Sequence, residues 1–306
     1  MERARHPVLL YSLILLMVLG WSFNFVIAKI SLRYFDPYTL TSFRIILSGV
    51  LMLPIYFAAP RRSHFNRKDL WNFVVLGFFG VVINRGFFIV GLDYTTAGHS
   101  ALIVSTGPIF VLILARMHRL EQITRGKIVG MALCVAGIAV LVGGEELKLH
   151  SGTWVGDLVA IAGTMGFAIY TVLAKKVARQ YDTISMNTFC NMVGAIILLP
   201  LGIRQAVHVR WGEIGWIGWL GMAYVVLVAS VVAYLIFFWA LRHIAASRLA
   251  VFTYVEPLLA TFLAVIFLGD KLTSMFLLGG ILILAGVYIT EFWPGAEEAT
   301  VETAGA

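Results

Sequence analysis

Charge is scarce in this chain. Of its 306 residues only 13% are Asp, Glu, Lys or Arg, whereas 60% are hydrophobic. Mean hydropathy is +0.91. A soluble globular domain carries about 25% charged residues, so that class is excluded. Long polar stretches are missing too, which leaves no room for a soluble domain between the apolar runs. Cysteine is nearly absent. Cys134 and Cys190 fall in separate apolar runs and read as small hydrophobes rather than as a disulfide or a metal pair. No G-x-x-x-x-G-K-[ST] occurs, so no ATP site is expected. H-E-x-x-H, Cys/His clusters and paired intramembrane aspartates are missing, so neither a cofactor nor enzyme activity is expected. No filter sequence or charged ring of the potassium-channel kind is present.

What the chain does have is apolar runs. Ten are long enough to cross a bilayer, where about 20 residues span the hydrocarbon. They cover roughly 8–30, 38–59, 70–91, 96–118, 125–142, 155–177, 184–203, 213–241, 245–268 and 272–292. The first follows MERARHP but is longer than a signal-peptide core, and no small-x-small cleavage site follows it. The net charge of +7 sits mostly in loops, where it sets topology instead of binding nucleic acid. Arg61, Arg62, Arg67 and Lys68, then Arg116, Arg119, Arg125 and Lys127, then Lys175, Lys176 and Arg179 fall on one side, with Arg3, Arg5, Arg242 and Arg248. The other side holds fewer cations and the acidic loop GGEELKLH. Both termini are therefore expected in the cytoplasm, with 1–7 as a short N-terminus and 293–306 as an acidic, disordered tail.

A shift of 149 residues lays LDYTTAGHSALIVSTGPIFVLILA (92–115) on LRHIAASRLAVFTYVEPLLATFLA (241–264). Pro108 then meets Pro257, Glu121 meets Asp270, Thr124 meets Thr273, Gly130 meets Gly279, and Ala136-Gly137 meets Ala285-Gly286. With a slightly smaller shift GWSFNFVIAK (20–29) lies on GFAIYTVLAK (166–175). The expected fold is an all-α integral membrane protein of ten transmembrane helices. Repeats at 8–142 and 155–292 are joined by a periplasmic linker, 143–154. Five is odd, so the two halves enter the membrane in opposite senses. Such inverted repeats are a recurrent build of secondary transporters, with the substrate in a central cavity between halves.

These residues carry a family resemblance. The doubled five-helix unit, the P…(E/D)xxT…G…AG pattern at Pro108–Gly137 and Pro257–Gly286, Arg44 early in the second run, and Glu256-Pro257 resemble the drug/metabolite transporter superfamily. Within it the chain resembles the ten-helix EamA-type exporters over about residues 8–292. The phrase TTAGHSALI and the aromatic-rich runs are similar to bacterial exporters of aromatic and other neutral amino acids. The resemblance implies export of such metabolites across a bacterial inner (plasma) membrane by a multi-pass protein. Arg85 departs from the family pattern, in a stretch that is commonly uncharged.

Glu256 lies in the middle of the run 245–268 with Pro257 behind it. A charge at a helix centre costs at least about 2.5–3.5 kcal/mol, so it must face a cavity, find a partner or be protonated. Pro257 cannot donate a hydrogen bond and frees the carbonyl of Thr253. One reading is a cavity wall that couples to protons; the plainer one is a protonated carboxyl bonded to a neighbouring helix at a kink. Pro108 is the matching hinge, but Gly107 stands where Glu256 does, so the halves differ chemically.

Arg44 and Arg85 each lie some six residues from the outer end of their runs, about 9 Å deep at about 1.5 Å per residue. Either can snorkel outward or pair with Asp36 or Asp93. That reading is preferred for Arg44; for Arg85 a guanidinium facing the cavity would suit a carboxylate substrate. Trp21 and Asn24 share a helical face, as do Phe167 and Tyr170. Ser230, Tyr234 and Phe237 form a stripe equivalent to Val81, Arg85 and Phe88. An aromatic stripe is usually packing, but polar members avoid lipid. The expected cavity set is Trp21, Asn24, Arg85, Phe88, Tyr170, Tyr234, Phe237, Tyr254 and Glu256. His99 reads as a hydrogen-bonding bystander. The glycines Gly126, Gly130, Gly137, Gly279 and Gly286 make close-approach faces, for packing the halves together or for a homodimer.

Three readings stay open. The first is a secondary transporter exporting small neutral or aromatic metabolites by rocking its halves, with the small-molecule substrate and the lipid bilayer as its partners, as a monomer or homodimer. The second is a lipid flippase or lipid-modifying enzyme using the same cavity. The third is a facilitative pore.

Overall fold

In hydrocarbon an amide without a partner is costly, so an apolar chain satisfies its backbone within helices. The computed structural model describes residues 7–94, 103–142, 154–268 and 274–293, and every regular element among them is helical. In chain order they are α1 (Pro7–Ser31), α2 (Pro37–Ala58), α3 (Leu70–Leu76), a π-helical stretch (Gly77–Gly86) and α4 (Phe87–Tyr94). Next come α5 (Gly107–Met117), α6 (Arg125–Val142), α7 (Trp154–Val177) and α8 (Thr183–His208). Then follow α9 (Trp216–Val226), a second π-helical stretch (Leu227–Val232), α10 (Ala233–His243) and α11 (Ala246–Val251). A 3-10 turn (Phe252–Tyr254), α12 (Val255–Leu268) and α13 (Ser274–Phe292) complete the described chain. His99, the linker 143–153, Arg3, Arg5, Lys271 and the tail from 294 lie outside the described residues.

Six of these helical spans are long and apolar enough to cross a membrane: Pro7–Ser31, Pro37–Ala58, Arg67–Gly91, Val155–Val177, Thr183–His208 and Trp216–His243. At about 1.5 Å per residue α2 is about 33 Å long, enough for a hydrocarbon core of about 30 Å. Large apolar side chains face outward along them, among them Val50, Ile196, Ile203 and Leu220. Two helix starts are fixed alike. Asp36 Oδ1 accepts from the amides of Tyr38 and Thr39, and Asp182 Oδ1 from those of Ile184 and Ser185, each at 3.0 Å. Such a cap is worth about 1 kcal/mol. The capped helices, α2 and α8, also carry internal prolines, Pro54 and Pro200. Asp36 to Asp182 and Pro54 to Pro200 share one offset, 146 residues.

The two most extensive helix pairings are α2 on α8 and α6 on α13. The second shows what its glycines do. A Cβ on Gly130 would stand 2.5 Å from the carbonyl oxygen of Gly286, and one on Gly286 equally close to that of Gly130. Gly137 and Gly279 are reciprocal in the same way at 2.7 Å. The backbones touch, which only glycine permits. The glycine faces therefore pack against each other within the chain. Cys134 and Cys190 are buried, unpaired small side chains in the apolar interior.

Candidate functional site

Proline lacks an amide hydrogen and disrupts the helix before it. Ahead of Pro257, α11 ends at Val251, one 3-10 turn intervenes, and α12 restarts at Val255. Ahead of Pro108 a turn at Ser105–Thr106 precedes α5. The two π-helical stretches hold Asn84 and Arg85 in one and Ser230 in the other. π-Helical insertions collect at functional sites because they re-aim side chains out of the regular stripe.

The first π-helical stretch, the 3-10 turn and the residues flanking the Ser105–Thr106 turn line one cavity with about 810 Å³ of empty space, its mouth included. Aromatic rings supply much of the wall: Trp21, Phe25, Phe88, Phe167 and Tyr234. Trp21 is held by Nε1 donating to the carbonyl of Ala229 at 3.2 Å, and its ring meets Tyr234 edge-on at 5.2 Å between centroids. The polar wall consists of Asn24, Arg44, Asn84, Arg85, Thr164, Thr253 and Glu256. Tyr234 donates to Asn84 Oδ1 at 3.2 Å, and Asn84 Nδ2 donates to the carbonyl of Gly163 at 3.2 Å. Glu256 is 6% exposed and has no hydrogen-bond partner among the described residues.

Both arginines lie in the interior. Arg85 Nη1 donates to Asn191 Oδ1 at 2.7 Å, and the ring of Tyr234 covers its guanidinium at 3.6 Å. Arg44 Nε donates to Ser230 Oγ at 2.8 Å. Neither snorkels, and neither reaches an aspartate. Asp36 caps α2, and Asp93 is exposed. Ser48 Oγ also donates to Asn191 Oδ1, at 3.0 Å, and Asn191 Nδ2 donates to Asn187 Oδ1 at 2.7 Å. Sequence reasoning singled out none of Ser48, Asn187 and Asn191; the signal available was polar residues recurring at one helical spacing, four apart, in α8.

Of the expected set, Trp21, Asn24, Arg85, Phe88, Tyr234 and Glu256 stand on the cavity wall. Three do not. Tyr170 stacks on Phe237 at 6.0 Å, with interplanar angle 7°, and its ring lies where Gly80 leaves space. Phe237 in turn packs behind Trp21. Tyr254 turns away into a cluster with Leu112, Cys134 and Ile283.

Polar contacts tie distant segments together around the starts of α6 and α11. Lys127 Nζ donates to Glu121 Oε2 at 2.7 Å, both side chains almost fully buried. Glu121 also accepts from the amide of Ser247 at 3.1 Å and from its hydroxyl. Burial pushes the Glu121 carboxyl up, but the Lys127 ammonium and the two Ser247 bonds together hold it below the usual carboxylate range. Thr124 Oγ1 accepts from the amide of Lys127, so the Glu-x-x-Thr pattern is a helix start plus a crosslink. Close by, Lys175 Nζ donates to the carbonyls of Leu241 and Ile244, and Arg248 pairs with Glu291, which also accepts from Tyr11 at 2.7 Å.

Known proteins give this geometry a context. The EamA-like transporter family matches residues 8–143 and 154–292. An uncharacterized transporter of Archaeoglobus fulgidus is 27% identical over 285 residues, 92% of this chain and 96% of that protein. A Salmonella typhimurium protein named "Probable amino-acid metabolite efflux pump" is 26% identical over 295 residues, 92% of this chain and 94% of its own. A crystal structure 19% identical in sequence shares the fold, with TM-score 0.76 over 91% of this chain and 97% of its own. With the family's pattern matched across two long segments, and a helical bundle enclosing a polar-aromatic cavity, this chain belongs to the EamA-like transporter family and is a multi-pass membrane protein.

Proposed function

We propose that the chain is a secondary transporter exporting neutral or aromatic amino acids across a bacterial plasma membrane by alternating access. It would do so as ten spans in two inverted five-helix repeats, with both termini inside. The observation that carries this is the cavity itself, walled from both halves of the chain by aromatic rings and by a carboxylate, Glu256, that no described residue engages. Rings offer large, rigid apolar faces to an aromatic side chain. A group that binds a proton or a substrate ammonium, but not both, is a natural coupling point. The common offsets of the aspartate caps and helix prolines support the repeat. So do the two π-helical stretches and the pairing of α2 with α8 and of α6 with α13. The name of the Salmonella relative supports the substrate class.

The test is reconstitution. Liposomes containing the purified protein are loaded with a pool of radiolabelled amino acids, with and without an imposed pH gradient. Saturable efflux of phenylalanine, tryptophan or a small neutral amino acid is expected, faster with the gradient. Glu256→Gln should fold and bind detergent normally, yet lose the response to the gradient. Flux that never saturates would replace the transporter with a pore. A Glu256→Gln protein whose efflux still follows the gradient as the parent's does would remove proton coupling through this carboxyl.

A further inference from the structure

Arg44 and Arg85 are 3% and 2% exposed, on α2 and on the first π-helical stretch, and both reach the cavity wall. They are near enough to repel each other electrostatically. Among the described residues no carboxylate lies within 4.0 Å of either. Their partners are neutral: a hydroxyl, Ser230, and an amide, Asn191. Among the described residues Arg44 Nη1 and Arg85 Nε and Nη2 are buried donors with no acceptor. Two adjacent cations with three orphan donors are a poor way to hold helices together, since removing water from a charge is costly and an apolar pair packs better. The same arrangement is a good way to hold a small planar anion. A guanidinium matches a carboxylate with paired N–H donors, and such charge-assisted bonds are the strong ones. The neutral partners fix each guanidinium in place without cancelling its charge, and the Tyr234 ring locks the plane of Arg85.

We propose that Arg44 and Arg85 form a carboxylate subsite, completed only when substrate is bound. This rests on the reading of the cavity as an amino-acid site and assigns the acid end of that substrate. The carboxylate lies at the arginine pair and the side chain among the rings. The cavity then selects against amines that lack an acid group.

The experiment is calorimetric titration of the full-length protein in detergent with L-phenylalanine, 3-phenylpropanoate and 2-phenylethylamine. 3-Phenylpropanoate should bind even without an ammonium group, and Arg44→Gln and Arg85→Gln should each weaken it roughly tenfold or more, the worth of one hydrogen bond to a charged group. Neither change should weaken the amine. Arg44→Lys and Arg85→Lys keep the charge and guard against misfolding, and they should recover only part of the affinity because lysine lacks the fork. A residue needed only for packing would lower thermal stability without separating acid from amine. The subsite is overturned if the acid does not bind, if the arginine variants bind it unchanged, or if acid and amine weaken together. Phenylalanine efflux from liposomes separates the two claims. Arginine-dependent binding of 3-phenylpropanoate without amino-acid efflux keeps the subsite and removes the amino-acid reading. Efflux indifferent to both arginines does the reverse.

Discussion

Glu121→Ala should cost roughly 3–5 kcal/mol of stability, the cost of stranding one partner of a buried ion pair. Lys127 is 1% exposed and its ammonium would lose the one carboxylate it meets among the described residues, while the Ser247 amide and hydroxyl would lose their acceptor. The start of α11 would then be tied less firmly to the loop between α5 and α6. Loss of monodisperse protein on heating in detergent measures this, as does intrinsic tryptophan fluorescence. Ser247→Ala should cost less, because it removes one donor and leaves the ion pair. The double change Glu121→Ala with Lys127→Ala should recover part of the loss, since no unpaired charge remains. A single-variant effect within about 0.5 kcal/mol, the range of ordinary surface changes, would mean that water already solvates this pair. The pH dependence has a definite sign. Glu121 has a folded-state pKa held down by Lys127 and Ser247, so its contribution is fully present above the ordinary glutamate value, about 4.3, and fades as pH falls through the lower folded value. The parent should therefore soften below about pH 4, and Glu121→Ala should show less of that decline.

The second large effect concerns a substitution that normally helps. In a helix interior Gly→Ala gains about 1 kcal/mol from propensity. At Gly286 the sign should reverse. The new methyl would meet the carbonyl oxygen of Gly130 at 2.5 Å and the Sγ of Cys134 at 2.6 Å, and backbone cannot step aside as a flexible side chain can. Overpacking of this kind costs about 1–3 kcal/mol, and α6 and α13 must separate to relieve it. Gly212, with nothing within 4 Å of its would-be Cβ, is the control, and Gly212→Ala should be nearly neutral. If Gly286→Ala melts no earlier than Gly212→Ala, the two helices are not in backbone contact.

Both effects come from residues whose pattern the sequence displays, Glu-x-x-Thr and paired glycines, and the structure supplies the partner. Legibility ended where direction around a helix mattered. Arg44 reads as a snorkelling residue because depth along the helix can be counted. Its azimuth, which aims it at Ser230 some 186 positions later, cannot be read from local spacing. Tyr254 leaves the expected cavity face because the helix changes type. The 3-10 turn at Phe252–Tyr254 advances 120° per residue instead of 100°, so Thr253 reaches the cavity while Tyr254 swings into the core. Tyr170 shares a face with Phe167 as expected, but one turn further along it meets the space left by Gly80 rather than open cavity. Glu256 and Pro257 stood out because an acid and a proline in an apolar run violate two rules at once, and such violations mark irregular, polar-lined places.

Helices whose main chains touch cannot slide past each other without first parting. The α6–α13 pair is thus a ruler built into the protein. Spin labels at Val129 and Ile281, both exposed on these helices, should report one sharp separation whatever fills the cavity. Labels elsewhere can then be referenced to that pair, so that distances that change under load are distinguished from overall tumbling or detergent effects.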